Sequence, residues 1–270
     1  MNNENGDHAL NKEKAKPFQR GKPVDGKTLK AAAFFFGGLL VMCLLNMILS
    51  GTAAIFGAAW LRIGFCVIQV LVYYSMAFYS GLSRGSAAVA LGENVLNQRK
   101  SGREVTAAEE ACCYHPLKGF VQALIGTLPV LIVAGVYAVL AEQQHTSPGS
   151  LPNFVSGMAS RPDVLAPLTA YTETKPAVLA DYLRVGSRAM NMPYVTMVGS
   201  SNYAGLLTLD RVAPLLCLLP AIAYGVGYLL GPGDRLRVQE NIAEGKRRLA
   251  RKQRREKQQR RAAREPEQLN

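Results

Sequence analysis

Cys112, Cys113 and His115 fall within four residues and form the densest set of soft metal ligands in the chain. Thiolate and imidazole suit zinc, but a structural zinc site takes four ligands, usually as two spaced pairs. Adjacent cysteines chelate poorly, and only His8 and His145 remain as further imidazoles. No metal is expected. The pair reads as reduced thiols beside a membrane, where S-acylation is the alternative chemistry. Cys43, Cys66 and Cys217 lie in apolar runs, so no disulfide framework is expected either.

No catalytic constellation stands out. The chain has no His-Glu-x-x-His, no phosphate loop of the Gly-x-x-x-x-Gly-Lys type and no defensible Ser/His/Asp set. Glu109 and Glu110 are adjacent, so on a helix they point apart. Neither an enzyme nor a cofactor is expected.

Two charged features remain. Arg62 is the only charge between Ala31 and Tyr79. A buried charge at such depth often marks a substrate or ion path. A central arginine costs about 2.5–3.5 kcal/mol on insertion scales, so a place at a helix end, snorkelling to water, fits better. Asp210 is the acid that would share that depth and is the expected ion-pair partner. The second feature is the block Lys246, Arg247, Arg248, Arg251, Lys252, Arg254 and Arg255, continuing through Lys257, Arg260, Arg261 and Arg264. Anionic lipid attracts such juxtamembrane segments at about 1 kcal/mol per nearby charge. Phosphates of RNA or a ribosome surface would attract them by counterion release. No aromatic side chain interleaves the block, so base stacking is missing and lipid is the favoured partner.

The elements that must position these groups follow from apolar runs. Ala31–Tyr79 is too long for one crossing of a hydrocarbon core of roughly 30 Å, so it splits near Ser50-Gly51-Thr52. Four spans are expected, at 31–50, 63–82, 119–141 and 212–230. Residues 1–30 read as a disordered basic tail, 83–118 as a polar loop, 142–211 as a long loop and 231–270 as a basic tail, helical or disordered. The membrane domain is therefore 31–230, and the fold class all-α. The first run exceeds a signal-peptide core, so it reads as a retained anchor. Residues 176–190 carry a helical pattern, and 194–209 read as interfacial, with a re-entrant segment as the alternative. Gly231-Pro232-Gly233 is expected to end the fourth span.

Within the spans, Pro129 and Pro220 are expected to kink their helices. Ala221 with Gly225, and Ala223 with Gly227, are small residues four apart, suited to close helix packing within the chain or between copies. Lys and Arg number 25 in the tails and 83–118 loop against six elsewhere. The bias expects both termini inside the cell membrane, N-in and C-in. The function expected from this is a non-enzymatic scaffold or accessory subunit of a membrane complex, in contact with other membrane proteins or itself. A small transport component lined by Asn46, Gln69 and Thr127 is one alternative. A membrane factor whose tail recruits ribosomes or RNA is another.

Overall fold

The computed structural model describes residues 17–53, 58–142, 179–199 and 202–264, and every regular element among them is a helix. In chain order these are α1 (Thr28–Ala53), α2 (Ala59–Lys100), α3 (Ala107–Ala111), α4 (Lys118–Leu140), α5 (Leu179–Met190), α6 (Met192–Val198), α7 (Tyr203–Leu229) and α8 (Gly231–Arg264). α1, α2, α4 and α7 are each long and apolar enough to cross a membrane. His8, His145, Arg161, Lys175 and the prolines from Pro148 to Pro176 lie outside the described residues.

The packing is inverted relative to a water-soluble bundle. Leu44, Ile48, Ile68, Leu71, Ile132 and Leu215 face outward. The interior is made of Ala123, Ala134, Ala213, Ala221, Thr127 and three tyrosines, Tyr137, Tyr224 and Tyr228. Outward aliphatics and small interior residues suit a bundle solvated by lipid, where close backbone approach replaces a hydrophobic core as the source of cohesion.

Two helix boundaries depart from the sequence reading. α2 does not stop near Leu82 but runs on to Lys100, 42 residues in all. The first part of the expected polar loop, residues 83–100, is its continuation. Good helix formers fill the stretch, and a cap forms only where Ser101 and Gly102 turn back. α7 begins at Tyr203, nine residues before the expected start, with the Asn202 side chain accepting the Gly205 N–H at 3.0 Å as its cap. The fourth span ends at Gly231-Pro232-Gly233 as expected, with α7 closing at Leu229, but a new helix starts there at once. A single residue, Leu230, separates α7 from α8, since proline in a first turn lacks only a donor that would be unpaired there anyway.

α2 and α7 are parallel neighbours in close contact. A methyl group at Gly81 or Gly85 would strike the carbonyls of Tyr224 or Tyr228, and one at Gly227 would strike that of Phe78. Glycines therefore interlock from both helices. α4 packs on the other flank of α7, with Phe120 filling the space over Gly225. α1 leans on α4, where Gly126 admits the Ala32 carbonyl.

α5 and α6 meet at Asn191, well inside the bundle. The Cys43 thiol donates to Ala189 O, Asn191 Nδ2 donates to Cys217 Sγ at 3.4 Å, and Tyr194 bonds Tyr74 through their hydroxyls. Cys43, Tyr74 and Cys217 are all mid-helix residues. From that corner α6 returns outward to Gly199, whose φ of +88° suits glycine, against the Arg62 guanidinium.

Residues 17–27, expected to be disordered, lie instead as a strap across the other end of the bundle. Gly21 N donates to Tyr114 O at 2.9 Å and Gln19 N to Gly92 O at 3.2 Å. Phe18 meets Tyr114 edge-on, and Tyr114 stacks on Tyr228 at 5.5 Å. Asp25 receives Lys118 Nζ at 2.6 Å, with both side chains at most 5% exposed.

Candidate functional site: a basic helix rooted on α2

α8 starts where α7 stops and continues along α2. Its first residue is in backbone contact with α2, as a methyl at Gly231 would strike Gly85. One turn on, Arg235 Nη2 donates to Glu93 Oε2 at 3.0 Å and its Nε to the same oxygen at 3.3 Å. Gln239 Nε2 takes the other oxygen, Glu93 Oε1. A carboxylate with three donors on two side chains is well satisfied and sets the direction of α8. Eight residues of α8 (231 to 239) advance beside eight of α2 (85 to 93), so the helices run the same way. By that register Lys100, the last residue of α2, is level with about Lys246.

The basic block begins there. From Lys246 to Arg260 every Lys and Arg is exposed, and the half-buried contact face of α8 fades after Gln239. At 100° per residue the block spreads its charge all round: Arg247, Arg251 and Arg254 on one side, Arg248, Lys252 and Arg255 on a second, Lys246, Lys257 and Arg260 on a third. Between Lys246 and Arg264 there are eleven Lys or Arg and one acid, Glu256. Arg84 is the first charge on α2 after Arg62, and Lys100 lies 16 residues past it, about 24 Å along a helix.

The other candidate residues fall elsewhere. Asp210 does not pair with Arg62. Arg188 grips it through both oxygens, Nη2 to Oδ2 at 2.7 Å and Nε to Oδ1 at 3.1 Å, and the Tyr137 hydroxyl donates to Oδ2 at 3.2 Å. Arg188 comes from α5, in the stretch that reads as a long loop outside the spans, where sequence gives no sign that it reaches an acid on α7. Asp210 stands about two turns inside α7, and its carboxylate is taken up by Arg188 from α5. Arg62 is half-buried, and its Nε has no hydrogen-bond partner among the described residues.

Ala221, Gly225 and Gly227 pack within the chain, on α4 and α2, and Ala223 is half-buried. The reciprocal pair Gly81 and Gly85 carried the same small-x-x-x-small signal on α2 and was missed. Pro129 and Pro220 both lie inside continuous helices, joined by Pro214 in α7. Cys113 is buried and its thiol reaches Glu109 O at 3.5 Å; burial raises its pKa against the pull of Lys118, so it stays protonated. His115 Nδ1 accepts the Leu117 N–H, facing away from any thiol contact.

Of the three polar residues that a transport path would need, two meet. Gln69 Nε2 donates to Asn46 Oδ1 at 2.9 Å and to Asn46 O at 3.0 Å. Thr127 donates to Ala123 O in its own helix. Asn46 also lines a cavity of about 30 Å³ beside Asn191, Tyr73 and Tyr74. That holds about one water. No family model, no curated protein and no solved structure matches this chain.

Proposed function

We propose that this chain is a non-enzymatic scaffold of the cell membrane, with four spans and both termini in the cytosol. It holds a rigid basic helix off the inner surface for a structured, phosphate-rich partner, RNA as displayed on a ribosome. The orientation rests on the excess of Lys and Arg at the α8 end of the bundle. The partner rests on one observation, the stand-off of the basic block.

The block starts about 24 Å beyond Arg84. The Debye length at physiological ionic strength is about 8 Å, so lipid charge is screened before it reaches Lys246. A helix that lies on lipid also keeps an apolar face to bury. This one is charged on every side. The geometry thus favours RNA over the anionic lipid expected from composition. A transport role gains no comparable support, since Asn46 and Gln69 satisfy each other and the cavity beside them is water-sized.

The test uses the full chain in nanodiscs containing phosphatidylglycerol. Co-sedimentation with ribosomes should be salt-sensitive and should be lost when Arg247, Arg248, Arg251 and Lys252 are changed to Glu. A fluorophore at Ala250 should not be quenched by spin-labelled lipid. Quenching there, with ribosome binding absent, assigns the block to lipid and sinks the proposal.

A further inference from the structure

α1 and α2 are tied at one end and parted at the other. Near the Arg62 end the Asn46–Gln69 bonds and Ser50 Oγ, which donates to Gln69 Oε1 at 3.3 Å, hold them together. Toward the α8 end α1 turns to α4, with Phe35 against Gly126 and Tyr224. The seam opens there into a groove of about 180 Å³ lined by Phe34, Gly38, Met42, Met76, Ser80 and Arg84. Phe34 and Met76 are 62% and 52% exposed, so the mouth faces the surrounding hydrocarbon.

Two polar groups, Tyr224 and Arg84, meet at the inner end. Tyr224 forms part of the wall, is 1% exposed, and its hydroxyl makes no hydrogen bond among the described residues. A buried hydroxyl is costly to leave so. Arg84 stands beside that hydroxyl, near enough to act on it as a charge and a donor but short of good hydrogen-bond geometry, and its guanidinium lies over the Phe34 ring at 5.8 Å. None of the ion pairs among the described residues includes Arg84.

We infer that this groove binds one anionic phospholipid of the inner leaflet. The phosphate sits on the Arg84 guanidinium and receives the Tyr224 hydroxyl, and one acyl chain lies between α1 and α2. From Arg84 to Tyr73, the lining of α2 covers eleven residues, about 16 Å. That matches one leaflet, half of a roughly 30 Å core. A zwitterionic headgroup would bring an ammonium to a groove whose described lining holds no carboxylate, so a net negative headgroup fits better. The inference shares the membrane reading but not the RNA reading.

The test is native mass spectrometry of the full chain, delipidated in mild detergent and titrated with phosphatidylglycerol. One lipid should bind per chain, more tightly than phosphatidylcholine. Arg84→Gln should weaken it about tenfold, the loss of a charged hydrogen bond, and Arg84→Lys should recover part of that. Gly38→Leu, at a position where a Cβ meets nothing within 4 Å, fills the groove without straining the fold and should block binding. Equal affinity for the two lipids, displacement by inorganic phosphate, or an unchanged Arg84→Gln overturns the inference. Charge reversal at Arg247, Arg248, Arg251 and Lys252 should leave this lipid in place, so the two readings fail separately.

Discussion

Glu93 on α2 and Arg235 on α8 stand 142 residues apart in the chain and meet at 3.0 Å. The contact is the hinge pin of the basic helix. It lies one turn beyond the Gly85–Gly231 contact along α8 and about two along α2, so a point and a direction are fixed together. Removing the carboxylate leaves Arg235 and Gln239 without their acceptor while the glycine contact persists.

Glu93→Ala should therefore loosen the rod without unfolding the bundle. The pair is partly buried, with Glu93 11% and Arg235 28% exposed on their side chains, which places the loss at about 1–3 kcal/mol. Spin labels at Ser101 and Ala250 should show one narrow distance distribution in the parent chain and a broad one in the variant. An equally narrow distribution would mean that α8 owes its direction to backbone packing alone.

The glycine interlock makes a sharper stability prediction. Gly81→Ala puts a methyl into the Tyr224 carbonyl, and the backbone must yield. Overpacking of this kind costs about 1–3 kcal/mol, against a helix-propensity gain of about 0.5–1 kcal/mol. Gly64→Ala, where a Cβ meets nothing within 4 Å, takes the gain alone. Thermal unfolding in detergent should fall for the first and hold or rise for the second.

The four long apolar helices were legible because twenty-odd apolar residues leave little other choice. What lay between them was not. α2 reads as ending where its apolar run ends, yet Ala87–Leu96 keeps helix propensity, and the partner that supports it, α8, is more than 130 residues away. The strap at 17–27 has no periodicity to announce it. It is held by backbone bonds to Gly92, Ala111 and Tyr114 and by one ion pair, none of which leaves a pattern in sequence. Asp210 reads as a partner for Arg62 because span ends set the apparent depth of both; its actual partner, Arg188, comes from α5, which packs inward from a loop. The basic block is plain from composition; where it stands relative to the apolar part of α2 needed the register of α8 on α2.

The strap predicts a pH dependence. Burial opposes the Asp25 carboxylate, but the Lys118 ammonium and the Thr28 hydroxyl outweigh it and hold its pKa below the ordinary 3.8. A carboxyl with a depressed folded pKa stabilises fully above its unfolded value and loses that contribution as pH falls through the folded one. Strap docking should thus be flat above about pH 5 and weaken below the usual carboxylate range. Asp25→Asn should remove the acid-side loss. Lys118→Met, which strands a buried charge, should cost about 3–5 kcal/mol at neutral pH. Amide exchange at Gly21, bonded to Tyr114, reads the docking directly.

The all-round charge of α8 makes RNA binding predictable in its salt dependence. A rod can press about half of its circumference on one surface, so five or six of the eleven Lys and Arg between Lys246 and Arg264 would meet phosphate. Each neutralised phosphate contributes about 0.7–0.9 to the slope of log affinity against log salt. The full chain should show a slope of about −4 to −5 with ribosomal RNA. Changing Arg247, Arg251 and Arg254 to Gln strips one face; Arg248, Lys252 and Arg255 are the second, and Lys246, Lys257 and Arg260 the third. The face in contact should reduce the slope by about two when stripped, and the face turned to solvent by far less. Three equal, small effects would mean diffuse attraction without a docked helix, and a slope near zero would mean that phosphate is not what this helix meets.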